Sequence, residues 1–245
     1  MSEELKAMIL AAGYGTRLRP YTETLPKALY PVAGRPMIHY PLLWLKRWGF
    51  NEVIVNTHYL AEMIERELGD GSALGIRVRY SREEILLGTG GGIGRARRMI
   101  GRSPMLVLNA DTIVDVDLEE LLARRKKADA VAVMAVVEER PGGYTPLALD
   151  GEGMVRAIGG KPDPGVGDFR RANFTGLSIL EPWLTDSLPA DRMACMVRDG
   201  IIPALTAGAR VAAFSHSGYW KPMDDIKRVE EAEADIAAGR FRPWK

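Results

Sequence analysis

Residues 9–27 read ILAAGYGTRLRPYTETLPK. An apolar strand leads directly into a glycine-rich loop, which is followed by Arg17 and then by Lys27. Because Gly13 and Gly15 have no Cβ, the backbone of the loop can approach phosphate oxygens and direct N–H groups at them. The two basic side chains add fixed positive charge. The stretch therefore predicts a nucleoside triphosphate site at the end of the first strand.

The glycines alone have a second interpretation, because a tight turn between a strand and a helix also uses them. The stretch is not a Walker loop, which would end in Gly-Lys-Ser or Gly-Lys-Thr. It is not a Rossmann loop either, because Leu18 stands where the third glycine would be.

The complete pattern from Gly13 to Lys27, G-x-G-T-R-L-x-P-x-T-x-x-x-P-K, resembles the signature of the sugar-1-phosphate nucleotidyltransferases. The likeness continues to about residue 230. It implies the reaction of an NTP with a sugar 1-phosphate to give an NDP-sugar and pyrophosphate, with Mg²⁺ as cofactor. The first loop then supplies the predicted nucleotide-binding residues Leu10, Ala11, Ala12, Gly13, Gly15, Thr16 and Arg17.

Composition agrees with this interpretation and excludes other classes of protein. A chain of 245 residues can form one large α/β domain. We expect one domain over 1–245, with an NTP-binding half at about 1–140 and a sugar-phosphate half at about 141–245. The net charge of +1 argues against a nucleic-acid partner, and the longest apolar stretch, 130–137, is too short for a membrane span.

The cellular location is predicted from the cysteine count and the N-terminus. The single cysteine, Cys195, cannot form an internal disulfide, and the polar N-terminus does not resemble a secretory signal. Both features predict a cytoplasmic protein. Whether it forms a homo-oligomer is left open.

Hydrophobic periodicity predicts strands that alternate with helices through the first half of the chain. Strands are expected at 6–10, 52–56, 77–80, 105–109 and 130–137, and helices at 37–48, 60–68, 91–100 and 118–127. This order predicts an α/β fold, a Rossmann-like three-layer αβα sandwich with a mostly parallel central sheet. Later residues predict a small sugar-side hairpin at 147–149 and 155–158, a strand at 174–180 and a closing helix at 225–238.

A second glycine-rich string, LGTGGGI, covers residues 87–93. So many glycines destabilise the start of a helix unless another group approaches the backbone closely. A flat nucleobase would explain them, and so would close packing of the helix. In the enzymes that the chain resembles, this string lies against the base, which implies base contacts at Thr89, Gly90 and Gly91.

Asp111 lies just beyond the buried strand predicted at 105–109, where the ligand crevice of an α/β sheet is found. A carboxylate there can hold Mg²⁺, although it can also cap a turn. Asp115 and Asp117 form a D-x-D pair of the kind that many glycosyltransferases use. Asp117 is expected to cap the helix that begins at Leu118.

Residues 218–225 read GYWKPMDD and precede the last predicted helix. Asp225 suits the N-cap of that helix, which leaves Asp224 free to face a metal. The string resembles the one in glucose-1-phosphate cytidylyltransferases, in which the aspartate after methionine is a metal ligand. The resemblance implies Asp111 and Asp224 as metal ligands, with Asp225 as the alternative to Asp224.

The sugar side is predicted from two short strings. Residues 159–162, GGKP, resemble an E-K-P motif that presents a lysine to the sugar phosphate, with Gly160 where the glutamate would be. Asn173 and Thr175 belong to a string that resembles a sugar-contacting segment. A solvated lysine and a polar turn are the alternatives. The predicted catalytic residues are Arg17, Lys27, Asp111 and Lys161, and the predicted sugar-phosphate contacts are Lys161, Asn173 and Thr175.

The substrates are predicted less sharply than the reaction. Likeness to N-acetylmuramate-1-phosphate uridylyltransferases favours UTP with a hexose or an N-acetylated, muramic-type sugar phosphate. A guanylyltransferase for mannose or heptose 1-phosphate and a cytidylyltransferase stay open. Two other classes also remain: a GT-A glycosyltransferase that uses Asp115 and Asp117, and a non-catalytic nucleotide-sugar sensor.

Overall fold

The computed structural model describes residues 4–140 and 144–242. Its strands are β1 (Lys6–Leu10), β2 (Pro31–Val32), β3 (Arg35–Pro36), β4 (Glu52–Thr57), β5 (Arg77–Arg82), β6 (Met105–Asn109), β7 (Thr112–Val114), β8 (Ala132–Glu138), β9 (Pro146–Leu149), β10 (Val155–Ile158), β11 (Arg170–Leu180), β12 (Val211–Ser215) and β13 (Trp220–Pro222). Its α-helices are α1 (His39–Arg47), α2 (Ala61–Leu68), α3 (Gly88–Ala96), α4 (Leu118–Ala128), α5 (Pro182–Ser187), α6 (Ile202–Thr206) and α7 (Ile226–Ala237).

Shorter helical segments complete the secondary structure. A π-helical segment, Met196–Ile201, runs directly into α6. Single 3₁₀ turns occur at Thr16–Leu18, Tyr21–Glu23, Lys27–Leu29, Ser72–Leu74 and Arg97–Met99. Within residues 4–140 and 144–242, no helix has the length and apolar character that crossing a bilayer requires.

The described residues divide into two compact units. The first unit contains residues 87–107 and 116–218 together with the N-terminal residues up to Leu5. The second unit contains residues 6–86, 108–115 and the C-terminal residues from Tyr219. The chain leaves the second unit after Leu86, re-enters it within β6 for residues 108–115, and enters it again at Tyr219. The predicted division of labour between residues 1–140 and 141–245 stays a prediction.

The second unit is built on a parallel set of strands in the order β1-β4-β5. Met8 of β1 lies opposite Ile54 of β4, which lies opposite Arg79 of β5. The centres of β1 and β4 are continuous buried apolar runs, as expected for parallel strands that are covered on both faces. Helix α2 packs against β5, and α7 packs against β13 and β2. This arrangement places the carboxyl ends of β1 and β4 side by side.

The first unit has a mixed sheet in the order β10-β9-β11-β8-β12. Only the β8–β12 pairing is parallel, and α4 packs on these two strands. Strands β9 and β10 form the predicted hairpin around Asp150, whose side chain accepts hydrogen bonds from the backbone N–H groups of Glu152 (3.0 Å) and Met154 (2.9 Å). Strand β11 has an irregular register between Phe174 and Ser178.

The predicted α/β class, with a large and mostly parallel central sheet covered by helices, is confirmed. The strand predicted at 174–180 begins earlier, at Arg170, because Arg170 and Arg171 pair with β9 instead of belonging to the predicted loop. Helix α3 begins at Gly88 and ends at Ala96, earlier at both ends than predicted. The sequence did not indicate α5, the π-helical segment, α6 or the short strands β7, β12 and β13.

Candidate active site

The predicted triphosphate loop follows β1 in the second unit. Gly15 has a φ of 65°, the left-handed region that favours glycine, and a Cβ there would lie 2.6 Å from the Cβ of Lys27. Gly13 differs, because a Cβ there would have no atom of the protein within 4 Å. The fold alone therefore explains why residue 15 is glycine. At Gly13, by contrast, the missing Cβ leaves open space above the loop.

Asp111 lies beside the start of this loop because the backbone holds it there. The N–H of Ala110 donates to the carbonyl of Leu10 (3.1 Å), and the N–H of Met223 donates to the carbonyl of Asp111 (2.7 Å). The end of β1, the residues after β6 and the segment before α7 thus meet within the second unit. The sequence placed Asp111 at a strand end, and the structure confirms that position.

Four predicted residues come together at this point. Lys27 forms an ion pair with Asp111, and Arg17 forms one with Asp224. The side chains of Lys27, Asp111 and Asp224 are 14%, 24% and 10% exposed, whereas Arg17 is 66% exposed and can move to a ligand. The structure thus joins two cations and two carboxylates next to the open space at Gly13. We call Arg17, Lys27, Asp111 and Asp224 the charge cluster.

The two adjacent aspartates before α7 have different roles. Asp225 caps the helix, because its side chain accepts from the N–H of Arg228 (2.9 Å). Asp224 is buried and faces the charge cluster. Burial by itself would raise the pKa of Asp224, but the hydrogen bond from Arg228 and the charges of Arg17, Arg228 and Lys27 hold that pKa below its usual range. The Asp224 carboxylate is therefore held in its ionised form, which is the form that binds a metal ion or pairs with the cations of a phosphate site.

Arg228 is a site residue that the sequence analysis missed. Its guanidinium pairs with Asp224, four positions earlier. A signal was available, since an aspartate and an arginine at this spacing around a helix start are neighbours on one face. Asp224 consequently bridges Arg17 and Arg228.

The donor set of the charge cluster fits Mg²⁺. The ion prefers hard oxygen ligands and is often bound by one or two carboxylates together with substrate phosphates and water. Asp111 and Asp224 supply two carboxylates, each of which is already compensated by a cation. In the part of the chain that the structure describes, no group of three or more His, Cys, Asp or Glu residues is arranged for a metal. The protein alone would therefore provide a partial site that the substrate phosphates complete.

The second glycine string has a different environment, in the first unit. The N–H groups of Gly90 and Gly91 donate to the carbonyl of Ala194, at 2.8 and 3.4 Å, and the hydroxyl of Thr89 accepts from the N–H of Met196 (2.9 Å). A Cβ on Gly91 would lie 2.5 Å from the carbonyl oxygen of Arg192. Close packing, the alternative to base contact, thus accounts for these glycines. These two N–H groups are thus engaged within the protein, and base contact at Thr89, Gly90 and Gly91 stays a prediction.

The predicted sugar contacts on β11 lie in the interior of the first unit, and their role in sugar binding stays a prediction. Asn173 and Thr175 are 1% and 2% exposed, so their side chains face the interior of the first unit. The Asn173 side chain accepts from the N–H of Arg140 (2.6 Å), and the Thr175 hydroxyl donates to the carbonyl of Ala135 (2.9 Å). Successive side chains of a strand alternate between faces, and Phe174 lies on the other face. Attention to this alternation would have indicated Phe174 instead.

Phe174 lines a cavity of about 420 Å³ in the first unit. Its walls are mainly apolar and include Ile158, Val197 and Ile202, with Cys195 also facing it. Lys161 lies close to this cavity in the backbone, because the Ile158 N–H donates to the Lys161 carbonyl (2.8 Å). The Lys161 side chain is exposed, so it is accessible to an anionic ligand.

The D-x-D pair is only partly available for a metal. Asp117 caps α4 as predicted, since its side chain accepts from the N–H of Glu120 (3.0 Å). Asp115 is exposed. A GT-A glycosyltransferase would use both carboxylates of this pair to bind a metal. Among the described residues, only that of Asp115 is not already used as a helix cap.

A parallel sheet with a glycine loop and paired carboxylates at its strand ends defines a nucleotide-binding enzyme of the α/β class. The model of the nucleotidyl transferase family matches residues 6–238, so the chain belongs to that family. The resemblance to sugar-1-phosphate nucleotidyltransferases is thereby confirmed.

Two curated relatives and one solved structure show the range of the similarity. The chain is 35% identical to an N-acetylmuramate alpha-1-phosphate uridylyltransferase of Neisseria meningitidis serogroup B, over 98% of this chain and 100% of that protein. It is 31% identical to a mannose-1-phosphate guanylyltransferase of Mycobacterium tuberculosis, over 97% of this chain and 66% of that protein. The fold matches HddC from Yersinia pseudotuberculosis with a TM-score of 0.77 and 24% identity, over 94% of this chain and 99% of HddC.

Proposed function

We propose that this protein is a Mg²⁺-dependent enzyme that converts UTP and a sugar 1-phosphate into a UDP-sugar and pyrophosphate. The observation that supports the proposal most is the charge cluster, which lies beside a glycine whose missing Cβ leaves open space above the loop. The proposal places the triphosphate in that space. Because nucleoside triphosphates are made and used in the cytoplasm, we propose that the protein acts there.

The proposed chemistry is an in-line displacement on the α-phosphorus. An oxygen of the sugar phosphate forms the new P–O bond as the bond to pyrophosphate breaks. Because the attacking oxygen is already anionic, no general base is needed. Transfer of this kind depends on positioning and on stabilising charge.

The residues of the charge cluster divide these tasks. Arg17 and Lys27 would leave their carboxylate partners to bind the triphosphate and the departing pyrophosphate. Asp111 and Asp224 would hold Mg²⁺, which when bound neutralises phosphate charge and polarises the phosphoryl oxygens. Arg228 would keep Asp224 oriented while Arg17 moves.

The acceptor is proposed to bind in the first unit, at the cavity lined by Phe174. Lys161 would orient the acceptor phosphate, and the apolar wall would take an acyl group on the sugar. A cavity of about 420 Å³ lies within the usual size range of small-molecule sites. A sugar 1-phosphate that carries an N-acyl group, with or without a muramic-type substituent, suits such a wall better than an unsubstituted hexose.

The preference for UTP is supported by the full-length similarity to a uridylyltransferase. Guanylyltransferases are similar over nearly as much of this chain, so GTP is the chief competitor. The base would be distinguished by polar groups that match its edge, because a buried mismatch leaves hydrogen-bonding groups without partners.

A substrate matrix tests the proposal. Pyrophosphate release would be measured with UTP, CTP, dTTP, GTP and ATP against N-acetylated and unsubstituted hexose 1-phosphates, with Mg²⁺ present or removed by chelation. The expected result is Mg²⁺-dependent release that needs both substrates and is fastest with UTP and an N-acetylated sugar. A preference for GTP by about tenfold or more would overturn the base assignment alone.

The same matrix separates the rival classes. A GT-A glycosyltransferase would consume an NDP-sugar without releasing pyrophosphate. A sensor would bind a nucleotide-sugar and release nothing. Either outcome would overturn the proposed reaction.

A further inference from the structure

The glycine loop is attached to the protein interior by a chain of polar side chains in the second unit. Asn56 and Glu83 are only 2% and 3% exposed, an uncommon position for an amide and a carboxylate. Neither belongs to the charge cluster. On the basis of the proposed function, we propose that Asn56 and Glu83 are positioning residues that hold the loop in the conformation that binds the triphosphate.

Asn56 connects to the first residue of the loop. It pairs with Leu10 in the parallel register of β1 and β4, at the strand ends. Its side-chain oxygen accepts from the N–H of Ala11 (2.8 Å), and its side-chain nitrogen donates to the carboxylate of Glu83 (2.7 Å). An amide side chain can accept from the loop through its oxygen and donate to a carboxylate through its nitrogen at the same time. The hydrogen bond that Asn56 donates to Glu83 thus fixes which side of the amide faces Ala11.

The main chain of Glu83 supports a second connection to the loop. Its N–H donates to the carbonyl of Thr57 (2.8 Å), which fixes Glu83 to the end of β4. Its carbonyl accepts from Nδ1 of His58 (2.9 Å), which leaves Nε2 to accept from the hydroxyl of Tyr14 (3.3 Å). Tyr14 stands between Gly13 and Gly15. One residue therefore holds both ends of the segment that faces the open space.

This arrangement matters for catalysis because a glycine-rich loop has many accessible conformations. Ordering it during binding would reduce affinity for the triphosphate. Side chains that are themselves fixed by further hydrogen bonds keep binding groups in place before the ligand arrives. The two connections therefore favour tight NTP binding and have no role in holding the sugar phosphate.

The test compares Asn56→Ala with a matched control, Thr57→Val. Thr57 is the next residue of β4 and is fully buried, but its hydroxyl donates to Glu65 on α2 (3.2 Å), away from the loop. Dissociation constants for UTP and for inorganic tripolyphosphate, thermal unfolding, and steady-state kinetics would be measured for both variants.

Loss of the Asn56 side chain leaves a buried N–H without a partner, so we expect Asn56→Ala to weaken binding of UTP and tripolyphosphate about five- to hundredfold. The KM for the sugar phosphate should change by less than about twofold, which is the size of effect that a substitution has on a site it does not contact. Thr57→Val should lower the melting temperature while leaving both affinities unchanged. Glu83→Gln should keep most of the affinity, because its amide oxygen still accepts from Asn56, whereas Glu83→Leu should not.

His58→Phe keeps the test decisive if the buried variants do not fold. It removes the connection to Tyr14 at a partly exposed position, and we expect about two- to tenfold weaker tripolyphosphate binding. Variants that lose thermal stability but bind UTP and tripolyphosphate like the wild type would overturn the positioning role. A wild-type protein that binds neither ligand would overturn the proposed function itself, and the positioning role with it.

Discussion

The two glycine-rich strings of this chain look alike in sequence, but each needs glycine for a different physical reason. In the loop of the second unit, a Cβ on Gly13 would meet nothing within 4 Å. In the second string, which opens helix α3 of the first unit, a Cβ on Gly91 would lie 2.5 Å from the carbonyl oxygen of Arg192. The glycines of α3 let neighbouring backbone approach, whereas Gly13 leaves space that the chain does not fill. Composition alone cannot separate these cases.

The difference indicates which string belongs to ligand binding. The N–H groups of Gly90 and Gly91 are directed at Ala194, so α3 uses them to hold its own unit together. The loop is followed by Arg17 and Lys27 of the charge cluster, and these cations suit a phosphate ligand. Substitutions in the loop region should therefore change binding and turnover, and substitutions in α3 should change stability.

The largest effect is expected from the carboxylates beside the loop. Asp111→Asn and Asp224→Asn should each reduce turnover by about a hundredfold or more, because a neutral amide cannot replace a carboxylate that binds a metal. Steady-state kinetics at saturating substrates would measure this. Asp225→Asn is the matched control, since asparagine caps a helix as well as aspartate does and activity should persist. An inactive Asp225→Asn beside an active Asp224→Asn would reverse the assignment.

A somewhat smaller effect should separate the two substrates. Charge-assisted hydrogen bonds to phosphate contribute about 1.5–3 kcal/mol, or roughly ten- to hundredfold in rate or affinity. Arg17→Ala should therefore reduce kcat by this factor, whereas Lys161→Ala should mainly raise the KM for the sugar phosphate. Kinetics with each substrate varied in turn would show the split. If each variant affected both substrates equally, the division of roles would be wrong.

Gly91→Ala and Gly13→Ala test the comparison of the two strings. A methyl group at Gly91 overpacks the contact with Arg192, so the free energy of unfolding should fall by about 1–3 kcal/mol. Gly13→Ala should change that free energy by less than about 0.5 kcal/mol and should weaken NTP binding. Denaturant unfolding and equilibrium binding on both variants would decide. Equal loss of stability in the two would remove the distinction.

The smallest effect is expected at Thr89. Thr89→Val removes the acceptor for the Met196 N–H, which should reduce the free energy of unfolding by about 1 kcal/mol. The ratio of kcat/KM for UTP to that for GTP should stay the same if Thr89 only packs α3. A change in this ratio of about tenfold would support the predicted base contact at Thr89.

Much of the fold and part of the candidate site could be predicted from local sequence. Strand β1 and the cap at Asp117 follow from short-range patterns, and the structure has them where expected. Asp225 was correctly predicted to cap α7 because N-cap chemistry is local. The ion pair of Arg17 with Asp224 was not predicted, because it joins residues that are far apart in the sequence.

What the sequence could not show also has physical causes. Asn173 and Thr175 were predicted as sugar contacts by resemblance to a family segment, and a sequence does not show that β11 turns both side chains inward. Groups on other segments bind the Asn173 oxygen and the Thr175 hydroxyl, whereas the buried Nδ2 of Asn173 has no hydrogen-bond partner among the described residues. The buried pair of Asn56 and Glu83 was missed for the same reason, since it joins two strand ends through hydrogen bonds between distant residues.

Phosphorus NMR on a single reaction containing UTP, an N-acetylated hexose 1-phosphate and Mg²⁺ would show whether the protein transfers a nucleotidyl group to a sugar phosphate, because it resolves every substrate and product. We expect equal amounts of UDP-sugar and pyrophosphate in the wild type and neither product in Asp111→Asn. Release of inorganic phosphate or UMP without a UDP-sugar, or products from Asp111→Asn at the wild-type rate, would contradict the proposed reaction.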